Sequence, residues 1–230
     1  MITLHHLENS QSIRILWLLE ELGPESLGGE YGFKMYDRDP DTMLAPAELK
    51  ALSPLGTAPV ITDDAVVLAE SNAVIDYILD QADGHDLRPA PGDEDRASYL
   101  FWFHAAQGSF QSLQTGRFVN SLAVERSPRL VRRLIGKVMG MLDSAFYGPR
   151  LDALMAQMED TLSRHPFLAG NRFTAADIAF GYSLQMASIR GGLGEDYPHT
   201  QAYVDRMEAR PAWQAALAKD GKFEGIPSRK

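Results

Sequence analysis

Residues 5–23 read HHLENSQSIRILWLLEELG, and the change of pattern inside that stretch decides the architecture. Residues 2–7 read as a strand. From residue 10 the spacing changes. Ile15, Leu18, Leu19 and Leu22 fall at i, i+3, i+4 and i+7, one face of a helix over 10–22, and Gly23-Pro24 ends it. A strand, a serine-containing turn and a helix in direct succession make the start of a mixed α/β unit.

Working outward, Tyr31, Phe33 and Met35 alternate with Gly32, Lys34 and Tyr36, which predicts a second strand over 31–36. Pro46 opens a short helix over 46–52 that stops before Ser53-Pro54. Strands over 59–62 and 65–68 follow, joined through Asp63-Asp64 as a tight hairpin. Ile75, Ile78, Leu79 and Ala82 then share one stripe of a helix over 71–82. The order is β-α-β-α-β-β-α over residues 1–82. Residues 83–93 (DGHDLRPAPGD), polar and rich in Pro and Gly, read as a linker. An all-helical domain is expected over 94–222, with helices near 94–121, 128–147, 150–164, 174–189, 198–209 and 211–219, and a tail at 223–230.

Composition narrows the chemistry. There is no cysteine, so disulfides, thiolate metal sites and a cysteine nucleophile of the protein's own are excluded. If sulfur chemistry occurs, a ligand brings the sulfur. The net charge of −9 argues against nucleic acid as a partner, because phosphate binding is driven by Lys and Arg. The basic set Arg126, Arg129, Arg132, Arg133 and Lys137 reads as a solvated helix face. No apolar run approaches the roughly 20 residues that span a bilayer, and the first residues lack the pattern of a leader, so a cytoplasmic location is expected. His5 and His6 point to opposite faces of a strand and cannot converge on one ion, and no phosphate-cradling glycine motif is present. Neither a metal nor a nucleotide is expected.

Thr174-Ala175-Ala176-Asp177 is a capping box: the threonine hydroxyl is expected to accept the Asp177 amide while the carboxylate returns to the Thr174 amide. Phe173 and Ile178 occupy the staple positions. Its role is structural.

Four segments in this order, HHLENSQSIRILWLLEELG, SPLGTAPVI, LAESNAVIDYIL and FTAADIAF, resemble the glutathione transferase superfamily. YLFWFHAAQGS (99–109) looks closest to the subgroup typified by a yeast glutathione transferase and its bacterial relatives. The resemblance implies a thioredoxin-like domain followed by an all-helical domain, glutathione as cosubstrate and a homodimer. It also implies a cis bond at Ala58-Pro59, whose backbone would pair with the extended tripeptide as an added strand. Ser71, with the free amides of a helix start, suits the γ-glutamyl carboxylate, and Glu70 suits its ammonium. The sulfur needs a donor at the start of the first helix, because thiolate is the nucleophile and a free thiol near pKa 8.5 is only a few per cent ionised at neutral pH. Ser10, Asn9 and Ser12 are the candidates, and one of them caps the helix. Ser10, four residues before Arg14, matches the active serine of serine-type members.

Ser53 stands where the family often has a basic or imidazole residue for the glycine end of glutathione; Lys50 or Arg38 is the expected substitute. On the helix over 94–121, Phe103, Gln107 and Phe110 share a stripe with Gln114, with His104, Gln111 and Thr115 beside it. The family uses this helix for the electrophile, so Phe103, His104, Gln107 and Phe110 are the expected pocket. The expected activity is attack of the glutathione thiolate on a small apolar electrophile. Peroxide reduction or ether cleavage on the same site, or a non-catalytic glutathione-binding or regulatory module, are the alternatives.

Overall fold

The computed structural model describes residues 1–53, 55–189, 193 and 195–221. The expected tail, 223–230, lies outside them, as does Pro54. The first half holds a four-stranded sheet of order β2-β1-β3-β4, made of β1 (Thr3–Leu7), β2 (Gly32–Tyr36), β3 (Val60–Asp63) and β4 (Val66–Ala69). β1 is parallel to β2 and antiparallel to β3, and β4 is antiparallel to β3. With α1 (Ile13–Ser26), α2 (Ala47–Leu52) and α3 (Ser71–Gln81) the order is the expected β-α-β-α-β-β-α. Asp63 still pairs with Val66, so the hairpin turns at Asp64-Ala65, one residue later than expected.

Register decides what meets at one end of this sheet. His5 pairs with Val60 and Val60 with Ala69. Continued past those pairs, the two ladders set Leu7 across from Ala58 and Pro59 across from Glu70. The turn after β1, the Ala58-Pro59 segment and the start of α3 therefore share one end of the sheet.

The rest of the described chain is helical: α4 (Arg96–Ala105), α5 (Ser112–Glu125), α6 (Arg129–Leu142), α7 (Gly148–Arg164), α8 (Ala175–Ile189), α9 (Pro198–Glu208) and α10 (Pro211–Asp220). α4 and α5 are joined through a π-helical segment, Ala106–Gln111, and α6 and α7 through another, Asp143–Tyr147. The expected break between 147 and 150 is thus absent. Pro149 lacks an amide hydrogen and would crowd the carbonyl one turn back, and the wider π turn before it lets the helix continue.

α1 is the shared wall of the two halves. Ile13, Ile15, Leu16, Trp17, Leu18 and Leu19 are each at most 1% exposed. Trp17 meets Trp213 of α10 edge-on at 5.1 Å and lies 5.7 Å from Phe173. Its ring passes so close to Gly181 of α8 that a Cβ there would stand 2.4 Å from Trp17 Cζ3. Glu21 binds Trp17 Nε1 (2.8 Å) and both arms of the Arg210 fork (2.6 and 2.8 Å).

At the start of α8 the Asp177 carboxylate accepts the amides of Thr174 (2.7 Å) and Leu168 (3.0 Å) and the Tyr203 hydroxyl (2.8 Å). The Thr174 hydroxyl donates to that carboxylate at 3.0 Å, and the Asp177 amide goes to the Thr174 carbonyl instead. The box thus differs from the expected one in its hydroxyl. A fully buried carboxylate demands donors, and the nearby hydroxyl serves it before it serves an amide.

Candidate active site

Three segments meet where the β1–α1 turn faces the helical half. They enclose a cavity of about 370 Å³ whose lining includes Asn9, Ser10, Gln11, Arg38 and Ala58 on the sheet side. The Ala58-Pro59 bond is cis. Asn9 holds a φ of 48°, a conformation asparagine tolerates better than most residues. Arg38 fixes this turn: its guanidinium donates to the carbonyls of Glu8 (3.1 Å), Asn9 (3.0 Å) and Met43 (2.9 Å), while its amide donates to the Glu8 carboxylate (2.7 Å). Arg38 lines the cavity as a brace of the turn.

The two serines differ. Ser10, 7% exposed, lines the cavity; its hydroxyl donates to the Leu7 carbonyl at 2.7 Å and lies 2.6 Å from the Ser12 hydroxyl. Ser12 is fully buried and holds the N-cap position of α1 without a side-chain cap bond. Its hydroxyl accepts the Leu7 amide (3.2 Å) and meets His6 Nδ1 (3.0 Å). A helix start and a compact set of hydroxyls thus sit at the cavity floor.

Behind Gln11 lies Arg14, fully buried, donating to Gln11 Oε1 (2.9 Å) and Ser183 Oγ (2.6 Å). Burial pushes its guanidinium down to about 10, with Tyr182 acting in the opposite, smaller sense. Both side chains that receive its protons line the cavity. The site therefore has a positive charge in its second layer, where water does not screen it.

At the start of α3, Glu70 occupies the N-cap position with φ 75° and ψ 117°, an unusual conformation for a residue with a side chain. Ser71 is the first helical residue, one position later than its expected capping place, and 6% exposed. Glu70 is exposed. Pro59, Glu70, Ser71 and Lys50 are not among the residues lining the 370 Å³ cavity; register sets Glu70 beside Pro59, at the rim of the same sheet end. Lys50 is exposed, its stem alongside Gly56. Ser53 is 5% exposed.

The opposite wall departs from expectation. Gln111, Gln114, Thr115 and Phe118 line the cavity with Tyr182, Ser183, Met186 and Ala187 of α8. Phe103 and Phe110, expected there, are core residues at 1% and 0% exposure: Phe103 stacks on Tyr99 at 5.4 Å, and Phe110 lies 5.5 Å from Phe180. His104 is exposed and borders a different cavity with Arg88, Arg96 and Tyr99. Gln107 reaches the site indirectly, donating to Gln11 Oε1 at 3.1 Å. The physical reason is the π segment at Ala106–Gln111. Each π residue turns less about the axis than an α residue, so a stripe counted at 3.6 per turn drifts off the cavity by about one residue. Among the described residues no group of three or more His, Asp or Glu side chains could hold a metal, and no helix is long and apolar enough to cross a membrane.

Residues 10–81 match the family model described as glutathione S-transferase, N-terminal domain, and residues 148–211 the one for its C-terminal domain. Glutathione S-transferase 3 of Schizosaccharomyces pombe is 30% identical over 221 residues, covering 95% of this chain and 88% of the relative. The chain belongs to the glutathione S-transferase family. Glutathione S-transferase 1 of Saccharomyces cerevisiae is 28% identical over 230 residues, covering 95% of each chain. A glutathione S-transferase structure from Actinobacillus pleuropneumoniae superposes with a TM-score of 0.72 at 31% identity, covering 97% of this chain and 95% of that one. A sphingomonad glutathione S-transferase, solved with glutathione bound, shares the fold with a TM-score of 0.69 at 23% identity over 95% of this chain and 98% of that one. The resemblance seen in the four sequence segments, including its lean toward yeast members, holds for this family, as does the thioredoxin-like plus all-helical fold.

Several cavity residues carry no local signature. Gln11 reads as an ordinary polar position of the turn, and Tyr182 and Ser183 fall in an apolar helix from the other end of the chain. Only the packing of α8 on α1 reveals them.

Proposed function

We propose that the chain is a glutathione transferase that activates the glutathione thiol at Ser10 and transfers it to a small, mostly apolar electrophile. One observation carries this reading: a serine at a helix start lines a cavity whose other wall is a second element, leaving room for two reactants. The tripeptide would lie along Ala58-Pro59 as an added strand, its γ-glutamyl end at Glu70 and Ser71. Glu70's strained backbone is the kind of feature that persists at sites where a side chain must be aimed. Of the two cations expected for the glycine end, Lys50 is the one that remains, since Arg38 is committed to backbone carbonyls. The electrophile would meet Gln114, Thr115, Phe118 and Met186.

The chemistry needs a thiolate. Lowering the thiol pKa by about two units corresponds to about 2.7 kcal/mol of preference for the charged form. The Ser10 hydroxyl, the amides at the start of α1 and the buried Arg14 guanidinium all act in that direction. Ser10 serves as hydrogen-bond donor to sulfur. Asn9 shapes the turn and Ser12 supports Ser10 from behind. We take the working form to be a cytoplasmic homodimer. The exposed apolar stripe Leu130, Leu134, Val138 and Met141 on α6, at 95%, 65%, 51% and 73%, favours a covered surface.

Calorimetry with glutathione and turnover with a generic aryl halide test the reading. The parent is expected to bind and turn over; Ser10→Ala is expected to keep binding and lose about 10²-fold in kcat/KM, the scale of one lost donor to a developing anion. Binding without turnover of either an aryl halide or a hydroperoxide would make the chain a binding module. Turnover confined to the hydroperoxide would make it a peroxidase.

A further inference from the structure

A continuous line of hydrogen bonds leads away from the cavity into the core. Ser10 Oγ lies 2.6 Å from Ser12 Oγ, Ser12 Oγ 3.0 Å from His6 Nδ1, and His6 Nε2 2.5 Å from the Asp220 carboxylate. Of its four members, only Ser10 lines the cavity; Ser12 and His6 are fully buried, and Asp220 is 3% exposed. The line joins β1, the turn and the last residue of α10, which lie 214 positions apart.

Helix stability does not explain this placement. A carboxylate at the C-terminus of a helix meets the negative end of the dipole, and burying it is costly without a partner. His6 is a partner of that carboxylate, and its other nitrogen is directed at Ser12 rather than at a backbone carbonyl. The ring of Phe33 covers His6 from β2, with centroids 5.6 Å apart, so water does not intervene on that side. An imidazole held by a carboxylate on one nitrogen and meeting a hydroxyl on the other is arranged to accept a proton from that hydroxyl.

We infer that His6, backed by Asp220, is the acceptor of the glutathione thiol proton, reached through Ser10 and Ser12. The inference rests on the role proposed for Ser10. The thiol S–H bond breaks as its proton passes to Ser10 Oγ. The Ser10 proton, which the resting hydroxyl gives to the Leu7 carbonyl, moves to Ser12 Oγ, and the Ser12 proton moves to His6 Nδ1. The result is a thiolate in the cavity and an imidazolium paired with the Asp220 carboxylate, with no change in total charge. Every hydrogen bond then points outward, so Ser10 donates to the sulfur it has just deprotonated. The proton returns by the same route when the leaving group departs as an anion. His6, Ser12 and Asp220 are positioning residues in this scheme, since none touches substrate.

The test counts protons in the intact protein. Glutathione is added in slightly alkaline buffer, thiolate formation is read from its ultraviolet absorbance, and proton release is read by calorimetry in buffers of different ionisation enthalpy. The inference expects thiolate to form with well under one proton released per thiolate. It expects His6→Gln and Asp220→Asn, if folded, to release about one, with glutathione KM held and the thiol pKa raised. One proton released per thiolate in the parent overturns the relay and leaves the Ser10 reading standing. No thiolate in the parent overturns the Ser10 reading and the relay with it. Because the parent alone decides, variants that fail to fold do not protect the inference. A third measurement uses labelled histidine: the ring nitrogen resonances of His6 are expected to move with glutathione and stay in place with S-methylglutathione, which has no thiol proton. Equal shifts with both would also overturn it.

Discussion

Gly181→Ala sets two known effects against each other at the contact that holds the halves together. Gly181 lies inside α8, where replacing glycine by alanine gains about 1 kcal/mol of helix propensity. The new Cβ would stand 2.4 Å from Trp17 Cζ3 and 3.3 Å from Cη2. Ordinary carbon contacts lie at about 3.5–4.0 Å, so something must move by more than 1 Å. Trp17 cannot yield cheaply: it is fully buried, meets Trp213 and Phe173, and its Nε1 is held by Glu21. Overpacking of a dense core costs about 1–3 kcal/mol, and this close approach belongs at or beyond the upper end. The net expectation is a loss of about 2 kcal/mol or more, a fall in Tm of at least about 4 °C for a chain of this size. Gly140→Ala is the matched control. Gly140 is also helical, and nothing lies within 4 Å of its would-be Cβ. That variant should gain about 0.5–1 kcal/mol. Urea titration of both, with m-values compared, separates stability from a change in the unfolded state. If Gly181→Ala equals or exceeds the parent while Gly140→Ala gains as expected, the packing argument is wrong.

Three further outcomes follow from the same geometry. Asp177→Ala strands the amides of Thr174 and Leu168 and the Tyr203 hydroxyl, so thermal melting should show a loss of at least about 3 kcal/mol; a loss below 1 would mean water replaces the carboxylate. Phe118→Ala removes an aromatic side chain that α5 contributes to the cavity wall, so KM for an aryl electrophile should rise several-fold while glutathione affinity holds; equal effects on both would place the tripeptide against α5 instead. Burial, joined by Lys34, holds the His5 imidazole below its usual 6.5, with Glu48 opposing. The unfolded chain thus binds more protons than the folded one just under that value, and stability should rise with pH through the window and level off above 6.5. His5→Gln should flatten that slope in chemical denaturation run across the range, and an unchanged slope would exclude His5 as its source.

The alternation and periodicities of residues 2–82 were enough to order the strands and helices along the chain, because each segment's own spacing marks the face it buries. The serine turn was legible for the same reason: it joins a strand to a helix within a few residues. The far wall of the cavity was not. A helix period of 3.6 gives Phe103 and Phe110 to the same face as Gln114, but the π segment at Ala106–Gln111 shifts the phase, and a π turn leaves no mark in apolar spacing. His6 looked like one of two divergent strand histidines until α10 delivered Asp220 to it. Local sequence determines which segments are strands and helices and which residue types can do chemistry, since backbone propensity and burial of a face act over a few residues. Only the tertiary structure decided which side chains share a cavity or a proton path. Those contacts join positions up to 214 apart and depend on the angle at which helices pack, which no local pattern encodes.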